Sequence, residues 1–398
     1  MKILIITPSL PYPPHWGFGI RVFQIAKNLG KSHEVTLLTI AEENQEEDIN
    51  TMRKYCKAVH AVPGEQKNQR RYAQLLSLFH PKSFLQSSLK SKALQAKFTE
   101  LINQEHFDII QVESSHLASL NLASDSTLVL DEHNIEYMLL QRMYQTERSL
   151  VRRLFSWAEF VKFQREEKQF WDRADGVVLT SEPERSQFSE MCPGKPVTCG
   201  PNGVDIDFFK PEATEIDRNS IVLTGLMRYR PNIDAALFMV NDILPLIHKR
   251  RPDVVFSIVG AGPPEEIRRL ASRHVVVTDL VPDVRPYAQT AGALVVPLRM
   301  GSGTRLKVLE GLAMARPMVS TALGCEGIDV LHDKHILIAN DAASFADEVL
   351  KVLDEPDLGQ RLGSAGRTLV EEKYSWPTVV DGLEQFYEEL RTRSSHLR

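Results

Sequence analysis

Cysteine is scarce in this sequence. Four occur in 398 residues (Cys56, Cys192, Cys199 and Cys325), and no two are spaced as CxxC. That excludes a disulfide framework and leaves zinc-ribbon and thioredoxin-like sites without support. A reduced, cytoplasmic compartment is the expectation. Long apolar runs are also lacking, since no stretch approaches the roughly 20 apolar residues of a membrane span. The opening MKILIITPSLPYPP is broken by Pro8 before it reaches the roughly 7–15 residues of a secretory apolar region. Nor is there an excess of positive charge: 47 basic residues face 52 acidic ones, for a net charge of −5. A dedicated nucleic-acid binder is usually basic, so that class is disfavoured. Internal repeats and low-complexity tracts are missing. What is present is a globular composition, 43% hydrophobic and 25% charged, at a length suited to about two or three domains.

The hydrophobic pattern predicts an α/β protein. KILIIT (2–7) is a continuous apolar run, as in a strand buried on both faces of a parallel sheet. A Pro- and Gly-rich loop follows, then a helical stripe over 21–29 and a second strand, EVTLLTI (34–40). That is a βαβ unit. Further strands are expected at 107–112, 127–132 and 176–181, with a long helical region over about 135–173. A second series starts near residue 220, with strands expected at 221–225, 254–260, 275–281, 293–298, 317–321 and 336–340. Its clearest helix is expected at 233–249. The segment 193–212, rich in Pro and Gly, is the expected domain boundary. An amphipathic helix is expected at 376–390.

The segment RMGSGTRLKVLEGLAMARPMVST (299–321) reads as strand, glycine loop, helix and strand. Gly301, Ser302, Gly303 and Thr304 precede a helix that starts near Arg305. A helix N-terminus presents free backbone N–H groups and a partial positive charge, which suits an anion. Arg305 and Lys307 stand in the first turn, where the helix dipole disfavours cations, and a diphosphate would compensate them. Glu310 lies three residues after Lys307. It can form a surface ion pair with Lys307 or accept hydrogen bonds from ribose hydroxyls, and the spacing leaves both open.

Several other residues stand at strand ends. His133 follows the strand LVLDE and precedes a helix, at the carboxyl end where open α/β sheets bind ligands. Asp131 and Glu132 are near enough in sequence to orient its ring, and His116 ends the preceding strand. Gly17 and Gly19 follow the first strand, where glycine permits close approach to a phosphate or sugar. Gly260 and Gly262 begin a dinucleotide-like pattern but lack its third glycine, which argues against NAD.

The segments PPHWGFGIR, DEHNIEY, PNGVDIDFFKP, GLMRYRPNIDAALFMVNDILP, IVGAGPPEEI, LVPDVRPY, PLRMGSGTRLKVLEGLAMARPMVST and GCEGID together resemble glycosyltransferase family 4, in the family's order and over nearly the whole chain. The resemblance implies the GT-B fold, in which two Rossmann-like doubly wound domains face each other across a cleft. On this expectation the first domain is 1–200, on the acceptor side and completed by 377–398. The second is 201–376, which binds the donor. The implied activity is retaining transfer of a hexose from a nucleotide-diphosphate sugar of the UDP or GDP type to an acceptor hydroxyl. The acceptor is a sugar or lipid-linked sugar in polysaccharide or glycolipid assembly, and no cofactor or metal is needed.

By the same resemblance Glu310 matches the second glutamate of the family's E-x7-E motif, which holds the donor ribose, and Ser302 stands where the first is usual. Leu226 and Pro231 occupy places that usually hold an Arg and a Lys. Arg305 and Lys307 are the expected substitutes, with Arg228 and Arg230 nearby. His133 matches the family's histidine beside the donor sugar, Val281 lies in the loop of the nucleobase contact, and His116 falls on the acceptor side. No paired carboxylates suggest a double displacement, so a front-face route is expected. A sugar-nucleotide epimerase of the same fold, a two-lobed binding protein and an inactive relative are the alternatives.

One stretch stands apart. Residues 66–99 carry seven basic and no acidic residues, interleaved with Leu75, Leu76, Leu78, Phe79, Phe84 and Leu85. Such a stretch is expected either to meet an anionic membrane surface or to cover the core as a solvated helical face.

Overall fold

Side chains buried on both faces mark the strands that begin each α/β repeat. In a computed structural model, which describes residues 1–64, 77, 80–147, 149–301 and 305–397, the first seven strands form one sheet. They are β1 (Lys2–Thr7), β2 (Glu34–Ala41), β3 (Ala58–Pro63), β4 (Ile109–Glu113), β5 (Thr127–Glu132), β6 (Gly176–Leu179) and β7 (Val197–Cys199). Their order is β3-β2-β1-β4-β5-β6-β7 and every pairing is parallel. β4, β5 and β6 are buried along their whole length, as expected when helices cover both faces.

The second sheet holds β8 (Asp217–Thr224), β9 (Val255–Val259), β10 (Val275–Val277), β11 (Ala291–Val296), β12 (Met318–Ser320) and β13 (Leu337–Ile338). It is parallel in the order β10-β9-β8-β11-β12-β13. Each sheet therefore reverses its strand order once, between β1 and β4 and between β8 and β11. Open α/β sheets bind ligands at the carboxyl ends beside such a reversal. The chain divides accordingly into Met1–Pro201 with Val380–Arg398, and Asn202–Val379, each with its own apolar core.

The differences from the sequence pattern have local causes. β3 and β7 were not expected. β7 lies inside 193–212, the segment read as a boundary, and its three residues are flanked by Pro196 and by Gly200 and Pro201. The helical region 135–173 is two helices, Glu136–Thr146 and Leu150–Arg173. The helix expected at 233–249 is Arg230–Phe238, a π-helical turn Met239–Ile243, and Leu244–His248. Pro245 has no N–H to donate to the carbonyl four residues back, and the wider turn accommodates this. The last helix runs from Trp376 to Leu397. Its Leu383, Phe386, Tyr387 and Leu390 are buried, and a Cβ added at Gly176 would meet Leu390 at 2.5 Å and Phe386 at 2.8 Å. The C-terminal segment thus packs at the start of β6.

The loops after β8 and β9 are held against each other through glycine. Gly260 has φ +149°, and a Cβ added there would lie 1.8 Å from the carbonyl oxygen of Gly225. Gly225 itself has φ +145°. Gly260→Ala is expected to destabilise the second unit by at least about 2 kcal/mol, read as a lower melting temperature. An unchanged melting temperature would contradict this packing.

Candidate active site

In the first unit the ends of β4 and β5 bring a histidine onto a buried carboxylate. His133 Nε2 lies 2.8 Å from Glu113 Oε2. The other Glu113 oxygen accepts from Gln111 Nε2 at 2.6 Å, and Gln111 in turn accepts from the Tyr387 hydroxyl of the last helix. Phe18 stacks on the His133 ring, with centroids 4.5 Å apart. The imidazole is therefore held edge-on by a carboxylate and on one face by a phenyl ring.

Asp131 lies beside this pair but serves another partner. Arg21, from the helix Gly17–Leu29, donates Nη2 to Asp131 Oδ1 at 2.8 Å and Nε to Oδ2 at 3.0 Å. Both side chains are fully buried. Ligand atoms of Glu113, Asp131 and His133 come within 4.8 Å of one another, but Asp131 already has the Arg21 guanidinium as its cation. Burial, and then the charge of Asp131, raise the Glu113 carboxyl, while the hydrogen bond from His133 opposes them.

Behind this lies a second polar layer. Glu132 points to the opposite face of the sheet, as alternation along a strand requires. It accepts from Trp171 Nε1 at 3.0 Å and from the Ser115 backbone at 3.1 Å. Glu167 accepts from the backbones of Glu136 and Tyr137, at the start of the helix Glu136–Thr146, and from the Ser115 hydroxyl. His116 sits in a short turn after β4, with Nδ1 3.0 Å from the Ser114 hydroxyl and Nε2 4.0 Å from Glu136. Burial, and then the charge of His133, lower His116 to about 4. Burial raises Glu136 to about 7, against the pull of His133. His116 and Glu136 thus border the His133 end of the sheet.

In the second unit β8 and β9 are each followed directly by a glycine, Gly225 and Gly260, and Gly301 lies five residues beyond the end of β11. Lys307, on the helix Leu306–Ala313, donates Nζ to Asn232 Oδ1 at 2.8 Å. A Cβ at Gly225 would fall 2.7 Å from Lys307 Nζ, so glycine there leaves room for the ammonium. Desolvation lowers Lys307 to about 8, although Glu310 opposes it. Desolvation likewise raises Glu310 to about 7, against Lys307. Arg305 is buried at the N-cap of the same helix, and desolvation lowers its pKa. Gly301 has φ +122°, and a Cβ there would lie 3.3 Å from Arg305 Nη2. Two cations, a carboxylate and a helix N-terminus thus gather at the strand-order reversal of this sheet, which suits a phosphorylated ligand.

Comparison with known proteins decides what this arrangement belongs to. Residues 17–208 match the family model described as Glycosyltransferase Family 4, and residues 218–355 match the one described as Glycosyl transferases group 1. The chain belongs to glycosyltransferase family 4. It is 23% identical over 404 residues to an uncharacterized 44.6 kDa protein in the cps region of Klebsiella pneumoniae, covering 96% of this chain and 98% of that one. It is 27% identical over 249 residues to a GDP-mannose-dependent alpha-(1-6)-phosphatidylinositol monomannoside mannosyltransferase of Mycobacterium tuberculosis. That match takes in 55% of this chain and 63% of the relative, less than two thirds of its length. The structure of Anabaena Alr3699/HepE in complex with UDP is similar, with a TM-score of 0.69 and 13% identity over 98% of this chain and 100% of that one. At that identity the likeness is one of fold, the GT-B fold of glycosyltransferases.

Nine of the glycosyltransferase's expected site residues fall into three groups. His133, with His116 near it, stands at the carboxyl end of the first sheet. Gly301, Arg305, Lys307 and Glu310 stand at that of the second. Ser302, Gly303 and Thr304 lie outside the described residues. Gly17 and Gly19 are not in a loop but in the first turn of the helix Gly17–Leu29. A Cβ at Gly19 would meet the Trp16 indole at 3.0 Å and the Pro11 carbonyl at 3.2 Å, so that glycine serves packing. Between the two glycines, Phe18 makes the contact with His133. Val281 lies beyond β10, which ends at Val277, and packs partly buried against the core of its unit. Arg228 and Arg230 are exposed. The orienting partner of His133 is Glu113 rather than Asp131 or Glu132, because the neighbouring strand lies closer than the residues beside His133 in sequence. Glu113, Arg21, Phe18 and Asn232 were missed by sequence reasoning. The one signal for Glu113 was a carboxylate closing an apolar strand.

The raised Glu136 carboxyl gives this glycosyltransferase a testable pH dependence. Its folded pKa, about 7, exceeds the ordinary 4.5, so the folded state holds the proton longer. That contribution is complete below about 4.5 and is lost as pH rises through about 7. Relative to wild type, Glu136→Gln is expected to gain on the order of 1–3 kcal/mol between pH 5 and pH 8.5 in denaturant melts. Parallel stability curves would overturn the assignment.

Proposed function

We propose that this glycosyltransferase moves a hexose from a nucleotide-diphosphate sugar of the UDP or GDP type to an acceptor hydroxyl, with retention of anomeric configuration and without a metal ion or other cofactor. The acceptor belongs to glycolipid or polysaccharide assembly. The observation that carries the reading is Lys307, held by Asn232 over the glycine end of β8, beside Glu310 and the buried Arg305. The mannosyltransferase relative, whose name gives GDP-mannose and a phosphatidylinositol mannoside, and the similar fold seen with UDP support the two donor types.

In this reading the second unit holds the nucleotide and the first supplies His133 and the acceptor side. Glu310 accepts from the ribose hydroxyls. The bond between the anomeric carbon and the diphosphate oxygen breaks while the acceptor oxygen bonds to that carbon on the same face. The hydroxyl proton passes to the departing phosphate oxygen. Negative charge grows on the diphosphate, and Arg305, Lys307 and the first N–H groups of the helix Leu306–Ala313 neutralise it. These cations take the part that a metal plays in other transferases. His133, fixed by Glu113 and Phe18, positions the sugar and sets the charge near the anomeric carbon.

Calorimetry with UDP, GDP and ADP tests the donor site. One nucleotide is expected to bind, and Lys307→Met and Glu310→Ala to weaken it by at least about tenfold, as for a lost charge-assisted hydrogen bond. Binding by none, or binding indifferent to both substitutions, would sink the reading. The affinity is also expected to peak between about pH 7 and 8. Below this Glu310 takes up a proton, and above it Lys307 loses one. His133→Ala is expected to keep nucleotide affinity while transfer falls by roughly 10²-fold or more, measured as nucleotide release with an acceptor preparation. Unimpaired transfer would remove His133 from the site.

A further inference from the structure

The helix Leu150–Arg173 is apolar on two opposite faces. One face carries Phe163, Phe170 and Trp171, all fully buried in the first unit. The other carries Leu150, Leu154, Trp157 and Val161, which are 80%, 59%, 47% and 44% exposed. Their spacing of four, three and four residues places them on one stripe about 60° wide, at 100° per residue. Val151 extends it at the helix start. Single exposed apolar residues are ordinary, but four in helical register form a patch that asks for a partner.

The exposed charge along the helix beside the patch is positive, and the carboxylate just ahead of it, Glu147, accepts from the Ser149 backbone. Arg152, Arg153, Arg165 and Lys168 are exposed along the same helix. Its three carboxylates between 150 and 168 all turn inward. Glu159 accepts from the Phe84 backbone, Glu166 from the Ser83 backbone and hydroxyl, and Glu167 from the Ser115 hydroxyl and two backbone N–H groups. A positive rim around an apolar centre is thus built on a chain whose net charge is −5.

We propose that this face docks on an anionic lipid bilayer, with Leu150, Leu154, Trp157 and Val161 in the acyl boundary and the arginines at the headgroups. A helix of this kind lies in the interface plane, its apolar side about 5–10 Å deep. Tryptophan suits that boundary because one end of the ring is apolar and the other can hydrogen-bond. A second copy of the chain fits less well, since a symmetric contact would set this positive rim against itself. The site differs from the basic stretch expected at 66–99. Of that stretch, 66–76, 78 and 79 lie outside the described residues, and Leu85, Leu94 and Phe98 turn to the core. The docking surface does not depend on the donor assignment.

Sedimentation with vesicles tests it, using phosphatidylcholine alone and phosphatidylcholine with about one third phosphatidylglycerol, the anionic fraction that gives a surface potential. The full chain is expected to sediment with the anionic vesicles at low salt, less so at high salt, and with a blue shift in Trp157 emission that Trp157→Phe abolishes. Leu154→Glu with Trp157→Glu, and separately Arg152→Glu with Arg153→Glu, should each weaken binding at least about tenfold while thermal melts stay unchanged. The proposal is overturned if the chain ignores anionic vesicles or if both double variants bind them as wild type does. It is equally overturned if the apolar variant dissolves a self-association and leaves vesicle binding intact.

Discussion

The buried ion pair between Arg21 and Asp131 is the interaction on which the first unit's site depends. It ties the helix after β1 to the end of β5, and Arg21 also donates to the carbonyl of Pro201, near the end of this unit's first segment. Both groups are out of water, and removing either would leave the other uncompensated, at a cost of roughly 3–5 kcal/mol. Burial is the largest single influence and lowers the Arg21 pKa, but the charge and hydrogen bonds of Asp131, with the charge of Glu113, together outweigh it, so the guanidinium stays protonated. One cation then faces two carboxylates, Asp131 and Glu113. Asp131 accepts from Nε and Nη2 of the guanidinium, and Glu113 is left to satisfy its charge by other means. It does so through Gln111 and His133. The orientation of the histidine thus follows from a charge balance set one strand away, and the last helix joins it through Tyr387.

The second unit builds a site by a different route. There glycine follows directly on β8, and the absence of a Cβ at Gly225 leaves space into which Lys307 reaches. Lys307 and Glu310 are both displaced toward their neutral forms by desolvation. Charged groups held in a partly dry place without full compensation are common where a ligand supplies the missing charge. Both units obey the same topological rule, with chemistry gathered beside the reversal of a parallel sheet, yet one unit relies on buried polar pairing and the other on backbone space.

The helix Leu150–Arg173 shows how one element can serve two surfaces. Its carboxylates are spent on backbone N–H groups within the fold, where they anchor the segment at Ser83–Phe84 and the start of the helix Glu136–Thr146. That arrangement leaves its outer side apolar and positive. An enzyme acting on a lipid-linked acceptor gains from being held at the surface where that acceptor resides. No helix among the described residues is long and apolar enough to cross a membrane.

Apolar runs and glycine punctuation were sufficient to place most strands and the α/β class, because burial on both faces of a parallel sheet leaves a signal within each short segment. β5 lies where the pattern placed it, at Thr127–Glu132. That Arg305, Lys307 and Glu310 lie together could be read for the same reason, since they stand at the N-cap and in the first turns of one helix, Leu306–Ala313. β3 and β7 were not legible, being short or punctuated by proline, and they exist because neighbouring strands supply their hydrogen bonds. Nor could spacing pair His133 with Glu113, Asp131 with Arg21, or Lys307 with Asn232, residues 20, 110 and 75 apart in sequence. Those partners are chosen by which strand ends lie side by side, and that is decided by packing a whole sheet at once. The outward apolar stripe at Leu150–Val161 belongs to the same class: in sequence it reads like any helical core face, and only the fold determines which of two apolar faces is buried.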